Sequence, residues 1–127
     1  MSAVVLDTSA VLALLQDEPG SEVVAELVGS GLVSAVNSAE VLTKLIRDGM
    51  PSSEARIALG FCTPVVVSFD AEQAEVAAGL IRQTQPYGLS LGDRACLALA
   101  ITTGSPVYTA DRTWGELAIG VEVRLVR

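Results

Sequence analysis

The feature that most constrains this chain's fold is an apolar run near its start that leads directly into an aspartate. Residues 3–6 read Ala-Val-Val-Leu, and Asp7 follows with two hydroxyl residues behind it. A short apolar run bounded by polar residues is typical of a strand buried on both faces of a sheet. In open α/β sheets the ligand crevice lies beyond the carboxyl ends of the strands. The sequence therefore predicts a functional position for Asp7.

The rest of the chain alternates short β-branched runs with helical patterns. We predict strands at residues 3–6, 32–34, 65–69, 106–109 and 121–126. We predict helices at residues 10–15 (capped by Thr8 or Ser9), 21–28, 37–48, 52–59, 70–83, 91–102 and 112–117. Such alternation predicts a three-layer α/β/α fold with a central parallel sheet of about five strands. The length of 127 residues predicts a single domain spanning residues 1–127.

Four carboxylates fall where predicted strands end or predicted helices begin: Asp7, Glu40, Asp93 and Asp111. Each has a purely structural interpretation. Residues 37–40 and 90–93 have the form of capping boxes, and acids in a first helical turn are favoured by the helix dipole. Residues 70–73 share that form with no other sign of a site, so Asp70 is interpreted as a cap alone.

As a set, the four acids indicate a cation site. In a parallel sheet their positions converge on one cleft, where four carboxylates would raise one another's pKa unless a divalent cation neutralised them. The chain has no histidine, which removes the commonest general base and the commonest transition-metal ligand. Oxygen ligands alone favour Mg²⁺, or Mn²⁺, over zinc.

Composition excludes some classes of function. A formal net charge of -7 argues against a protein that coats nucleic acid. No apolar run approaches the roughly 18 residues of a membrane span, and no basic segment precedes the first strand as in a signal peptide. Cys62 and Cys96 lack metal-ligand spacing and are interpreted as reduced core thiols, which indicates a cytoplasmic protein.

Four stretches carry a resemblance to a known family. They are residues 6–10 (LDTSA), 37–41 (NSAEV), 90–100 (SLGDRACLALA) and 108–111 (YTAD), in that order along nearly the whole chain. With them the chain resembles PIN-domain ribonucleases, and among those the VapC-type toxins of bacterial type II toxin–antitoxin pairs. The third stretch is the most specific, since a helix-opening acid followed by so many small residues is unusual.

The resemblance implies a PIN-like fold and a metal-dependent endoribonuclease that uses Mg²⁺ or Mn²⁺. It also implies a homodimer and inhibition by a cognate VapB-type antitoxin. The four acids match the family's acidic cluster, with Asp7 and Asp93 as the most direct metal ligands and Glu40 and Asp111 completing the site. The side chains expected to orient these carboxylates are Thr8, Ser9, Asn37 and Thr109.

The hypothesis for the mechanism is hydrolysis of RNA phosphodiester bonds by a metal-activated water, which leaves 5′-phosphate and 3′-hydroxyl ends. The absence of histidine disfavours a metal-free route through a 2′,3′-cyclic phosphate. Trp114 is interpreted either as a base-stacking side chain or as a packing residue. The candidates for RNA phosphate contacts, which could equally be solvated or paired with acids such as Asp48, are Lys44, Arg47, Arg94 and Arg112.

The helices at residues 10–15, 21–28 and 52–59 are short and more apolar than one sheet face requires. An exposed apolar groove would mark a partner site, and we expect an antitoxin segment to lie in it and reach the acidic cleft with a basic side chain.

Other protein classes with an acidic cleft fit the sequence less well. A response-regulator receiver needs a pair of acids after its first strand and a lysine after its fifth. Here Asp7 stands alone, and the only lysine, Lys44, is on a helix. A haloacid-dehalogenase-type phosphatase needs a second acid two residues after Asp7. A PIN-fold RNA-binding module without catalysis, and a PIN nuclease of RNA maturation outside a toxin pair, remain open.

Overall fold

A computed structural model of the chain describes residues 2–62 and 65–127. Its strands are β1 (Val4–Leu6), β2 (Gly31–Ser34), β3 (Val65–Val67), β4 (Val107–Thr109) and β5 (Val123–Leu125). Its α-helices are α1 (Thr8–Leu15), α2 (Ser21–Ala25), α3 (Ala35–Arg47), α4 (Ser52–Cys62), α5 (Ala71–Gly79), α6 (Ile81–Thr84) and α7 (Leu91–Thr103). Short 3₁₀ turns lie at Val28–Ser30, Gln85–Tyr87 and Arg112–Glu116.

The five strands form one parallel sheet in the order β3-β2-β1-β4-β5. The chain runs from β1 outward through β2 to β3, and then returns to pair β4 with the other side of β1. The strand order therefore reverses between β1 and β4, which is the point where open α/β sheets form a crevice. This confirms the predicted α/β/α fold and its parallel five-stranded sheet.

Two apolar cores cover the two faces of the sheet. Val4 and Leu6 of β1 pack into one core with α1, α3 and α4, whereas Val5 packs into the other with α7. β4 divides in the same way, with Tyr108 in the first core and Val107 in the second. This alternation is what a strand buried on both faces requires. The two free cysteines, Cys62 and Cys96, are buried as predicted.

The start of α3 differs from the prediction. The helix begins at Ala35, and its N-cap is Ser34, whose hydroxyl accepts a hydrogen bond from the backbone N–H of Val36 at 3.3 Å. Asn37 is therefore inside the helix and does not open it, and Glu40 lies beyond the first turn. The predicted capping box at residues 37–40 is wrong, because the end of β2 already supplies a cap.

Other boundaries also moved. Asp7 occupies the N-cap position of α1, so the predicted caps Thr8 and Ser9 are wrong and both lie within the helix. The predicted helix at 21–28 ends at Ala25, and the one at 70–83 divides into α5 and α6. Strands β3 and β5 are shorter than predicted, and α4 extends to Cys62. Across the described ranges, none of the helices combines the length and apolar character needed to cross a bilayer.

Candidate active site

Asp7 lies at the carboxyl end of the central strand and is only 4% exposed. Its Oδ2 accepts hydrogen bonds from the hydroxyls of Ser9, at 2.7 Å, and Thr109, at 2.9 Å. Burial raises the pKa of Asp7 to about 6, although these two hydrogen bonds lower it, and the charge of Asp93 adds to the rise. Ionisation of Asp7 in the folded protein is therefore unfavourable, because the charged carboxylate is buried away from water.

The two hydroxyls beside Asp7 also fix the loop that carries Asp111. Ser9 Oγ accepts from the backbone N–H of Ala110 at 2.9 Å, and Thr109 Oγ1 accepts from the N–H of Asp111 at 3.0 Å. The ends of β1 and β4 are therefore joined through side chains as well as through the sheet.

Glu40 reaches the same edge from the second turn of α3. Its Oε1 accepts hydrogen bonds from Thr8 Oγ1 at 2.6 Å and from Asn37 Nδ2 at 3.0 Å. Asn37 is fully buried, and its Nδ2 also lies 3.0 Å from the carbonyl oxygen of Gly92 at the start of α7. The Asn37 Oδ1 has no hydrogen-bond partner within the part of the chain that is described. The amide therefore links α3 to α1 and α7 through its N–H groups alone.

Asp93 and Asp111 each hold a structural position as well. Asp93 closes a capping box with Ser90, with Ser90 N–H to Asp93 Oδ2 at 2.9 Å and Asp93 N–H to Ser90 Oγ at 3.2 Å. Asp111 Oδ1 caps the following 3₁₀ turn by accepting from the N–H and hydroxyl of Thr113. The cap assigned to Asp70 is confirmed on α5. One acid can therefore stabilise the start of a helix and line the pocket at the same time.

All four acids line one pocket of about 660 Å³ between α1 and α3, as the sequence predicts. Burial raises the pKa of Asp93, hydrogen bonds from Ser90 oppose that rise, and the charges of Glu40 and Asp111 add to it. Burial also raises the pKa of Cys96 well above its usual value, with further contributions from Asp7, Asp93 and Glu40. The acids are therefore close enough to one another to raise the pKa of the same neighbouring groups.

The donor chemistry of this pocket fits a hard divalent cation. Its ionisable ligands are carboxylates only, and the hydrogen bonds of each carboxylate fall mainly on one oxygen, which orients the group. No three acidic or thiol side chains in residues 2–62 and 65–127 stand close enough to hold an ion as they are. The residues therefore fit the cation by donor type, and the pocket would have to tighten to hold it.

Three of the four candidate RNA-binding residues lie at the pocket or on the protein surface. Lys44 and Arg47 line the pocket, along the stripe of α3 that also carries Glu40. Lys44 is paired with Asp48 at 2.8 Å. Arg112 is exposed on the turn after Asp111.

Two residues predicted as possible RNA contacts, one basic and one aromatic, are turned away from the pocket. Arg94 donates from Nη1 to the carbonyl of Ala77 at 3.0 Å and ties α7 to α5. Trp114 is fully buried in the core around α7, so its packing interpretation is confirmed and base stacking is excluded.

Sequence reasoning missed Gly92. An added Cβ at this residue would overlap Glu40 Oε2 and would lie 2.6 Å from Glu40 Cδ. The signal was present, because a glycine inside a helix costs about 0.5–1 kcal/mol relative to alanine and calls for a packing reason.

Comparison with known proteins gives a consistent result. The family model described as the PIN domain matches residues 4–120. A ribonuclease VapC of Mycolicibacterium smegmatis is 33% identical over 112 residues, which cover 81% of this chain and 87% of that protein.

Solved structures share the fold. A DNA-bound VapBC complex from Salmonella typhimurium has a chain that superposes with a TM-score of 0.79 at 17% identity, covering 100% of both chains. A toxin–antitoxin complex from Klebsiella pneumoniae gives 0.76 at 19% identity, covering 98% of each. The architecture is therefore shared at identities too low to carry function by themselves.

Proposed function

The chain belongs to the PIN-domain family, and from that premise we propose that it is a metal-dependent endoribonuclease, the toxin of a toxin–antitoxin pair. The observation that carries the proposal is the single pocket that Asp7, Glu40, Asp93 and Asp111 line together. The relative from Mycolicibacterium smegmatis is named a ribonuclease, which supports RNA as the substrate. A binding module without catalysis would not need all four acids.

In this proposal Asp7 and Asp93 would hold a Mg²⁺ or Mn²⁺ ion directly, and Glu40 and Asp111 would complete the site, directly or through water. When bound, the cation would supply positive charge to a phosphate and an attacking water, and it would neutralise the acids. Asp7 is oriented by Ser9 and Thr109, as described above. Glu40 is oriented by Thr8 and Asn37.

The remaining steps belong to the chain's own side chains. Attack of water on phosphorus requires a group that accepts a proton, and Asp111 suits that role because it is exposed and only its Oδ1 is engaged by Thr113. Lys44 and Arg47 lie along the pocket wall, where they can bind phosphates flanking the scissile one. Breaking the P–O3′ bond then leaves a 5′-phosphate, and the leaving 3′ oxygen takes a proton from solvent water to become the 3′-hydroxyl.

The test compares the wild type with Asp7→Asn and Asp93→Asn on total bacterial RNA, with Mg²⁺, with Mn²⁺ and with EDTA, after co-purified antitoxin has been removed. We expect discrete cleavage that needs metal and both acids. Asp70→Asn is the matched control, because Asp70 is also an N-cap aspartate but lies outside the pocket. Cleavage in EDTA, or 2′,3′-cyclic phosphate ends, would contradict the mechanism.

We propose two protein partners for the chain: an antitoxin and a second copy of the chain itself. The solved relatives are titled as VapBC or toxin–antitoxin complexes, which supports the first. Exposed apolar side chains on α4, Ile57 at 64% and Phe61 at 76%, support such a partner surface. Helix α4 packs on α1 and α3, the two helices that flank the pocket. A segment bound to α4 could therefore extend to the acids.

A further inference from the structure

Gly92 occupies the second residue of α7, a helix otherwise rich in leucine and alanine. Its φ is not positive, so the backbone does not require glycine there. Glycine is also less favourable than alanine within a helix. The reason for glycine at this position must therefore lie in what surrounds it.

What surrounds Gly92 is the carboxylate of Glu40. A Cβ built on Gly92 would overlap Glu40 Oε2 and would lie 2.6 Å from Cδ and 2.8 Å from Oε1. Real Cβ contacts essentially never fall below 3.0 Å, so no side chain fits while Glu40 keeps its position. The carboxylate occupies the space that every other residue type would fill.

The contact is reinforced by Asn37. The same Nδ2 donates to Glu40 Oε1 and to the carbonyl of Gly92, both at 3.0 Å. Asn37 thereby binds the acid and the backbone against which the acid packs, and it fixes the separation of α3 and α7. Asp93 is the next residue of α7, so this separation also sets where Glu40 stands relative to Asp93.

We propose that Gly92 is a positioning residue: its missing side chain lets the Glu40 carboxylate stand beside Asp93 at the start of α7. The inference rests on the proposed function for its consequence, since Glu40 is assigned there to the cation site. A Cβ at Gly92 would displace the end of a flexible side chain and leave the backbone in place. The fold tolerates that change, whereas the acidic cluster loses one member.

The test substitutes Gly92→Ala and measures thermal unfolding, Mn²⁺ binding by calorimetry, and RNA cleavage. We expect the variant to fold with a melting temperature close to that of the wild type, because the helix gain of alanine opposes the loss of the Glu40 hydrogen bonds. Mn²⁺ affinity and cleavage should fall by about 10- to 100-fold. Gly79→Ala in α5 is the matched control, because an added Cβ there meets no described atom within 4 Å. It should change neither binding nor cleavage.

A second arm separates positioning from a general defect. Glu40→Gln should lower Mn²⁺ affinity in the wild type, and it should add little to Gly92→Ala, because that variant has already displaced the carboxylate. A crystal structure of Gly92→Ala should show the hydrogen bond between Thr8 Oγ1 and Glu40 Oε1 broken. Full additivity, or an undisturbed Glu40, would overturn the inference.

The two proposals fail differently. If the wild type binds Mn²⁺ but cleaves no RNA, and Gly92→Ala binds Mn²⁺ more weakly, the positioning role stands and the ribonuclease proposal fails. If the wild type cleaves RNA and Gly92→Ala does so equally well, the positioning role fails alone. A wild type that binds no Mn²⁺ would overturn both.

Discussion

At the scale of single residues, Asp7 shows how the site conflicts with stability. Its carboxyl is buried at the carboxyl end of the central strand. It accepts hydrogen bonds from two hydroxyls, yet its pKa is still raised to about 6. A group whose folded pKa lies above its unfolded value stabilises the fold below the unfolded pKa, here near 3.8. That contribution is lost as pH rises through about 6. At neutral pH the metal-free protein therefore carries a destabilising buried charge.

Asp7→Asn should stabilise the protein in EDTA at pH 7.5, by on the order of 1–3 kcal/mol, because it removes this charge. The gain should shrink as pH falls from about 6 to 4, because the folded wild-type carboxyl takes up a proton in this range while the unfolded carboxyl, with a pKa near 3.8, is still mostly ionised. Urea unfolding of both proteins across that range measures the difference. Added Mg²⁺ should stabilise the wild type and not the variant.

Asp48 supplies a control of opposite sign. A hydrogen bond from Lys44 lowers the pKa of Asp48, so its contribution is present above the unfolded pKa and is lost in acid. Asp48→Asn should therefore give no gain at pH 7.5. An Asp7→Asn gain that does not depend on pH would show that desolvation is not its cause.

At the scale of elements, three helix N-termini meet at one sheet edge. Helices α1, α3 and α7 begin beside the ends of the strands, and their first two turns carry Thr8, Asn37, Glu40 and Asp93. The capping box that starts α7 therefore also positions an acid of the site. The cost of losing a cap and the cost of losing the site can be separated by comparing two caps.

Ser90→Ala and Asp70→Ala should each destabilise the protein by about 1 kcal/mol, because each removes an N-cap acceptor. Only Ser90→Ala should weaken Mn²⁺ binding and RNA cleavage, because the Ser90 hydroxyl bonds to Asp93 whereas Asp70 caps α5 outside the pocket. Chemical unfolding and calorimetry measure the two effects. Equal losses of cleavage in both variants would assign them to stability alone.

At the scale of the whole molecule, the two most exposed large apolar side chains among the described residues both lie on α4. Ile57 and Phe61 are largely exposed on α4, which packs beside the pocket helices. Apolar side chains grouped on one helix face mark a partner surface more often than scattered ones do.

The double variant Ile57→Ser/Phe61→Ser should weaken antitoxin binding by at least about 10-fold while RNA cleavage stays unchanged. Stability should change little, since substitutions of exposed residues usually fall within about 0.5 kcal/mol. Titration with the cognate antitoxin measures affinity, and Ile101→Ser on α7 is the control at another exposed apolar residue. Unchanged affinity together with a lost dimer in sedimentation would instead assign this surface to self-association.

The sequence by itself determined the layers, the parallel sheet and the convergence of four acids on one pocket. These follow from local patterns: apolar runs of strand length, helical periodicity, and acids at the junctions between them. The start of α7 is an example, because Ser90, Asp93 and Gly104 specify both of its ends with residues close in the chain. The start of α3 was misplaced although its cap is local in the chain, because Ser34 at the end of β2 caps the helix before Asn37 is reached.

Only the tertiary structure decided the strand order, and with it the crevice between β1 and β4. It also decided which polar groups meet, as Asn37 does with Thr8 and Gly92, and it turned Arg94 and Trp114 away from the pocket. The hydrogen bonds of Asn37 and Arg94 join residues from 17 to 55 positions apart, so no local pattern contains them. Gly92 combines both kinds of information. The sequence shows a glycine inside a helix, but only the tertiary structure shows the carboxylate on another helix that explains it.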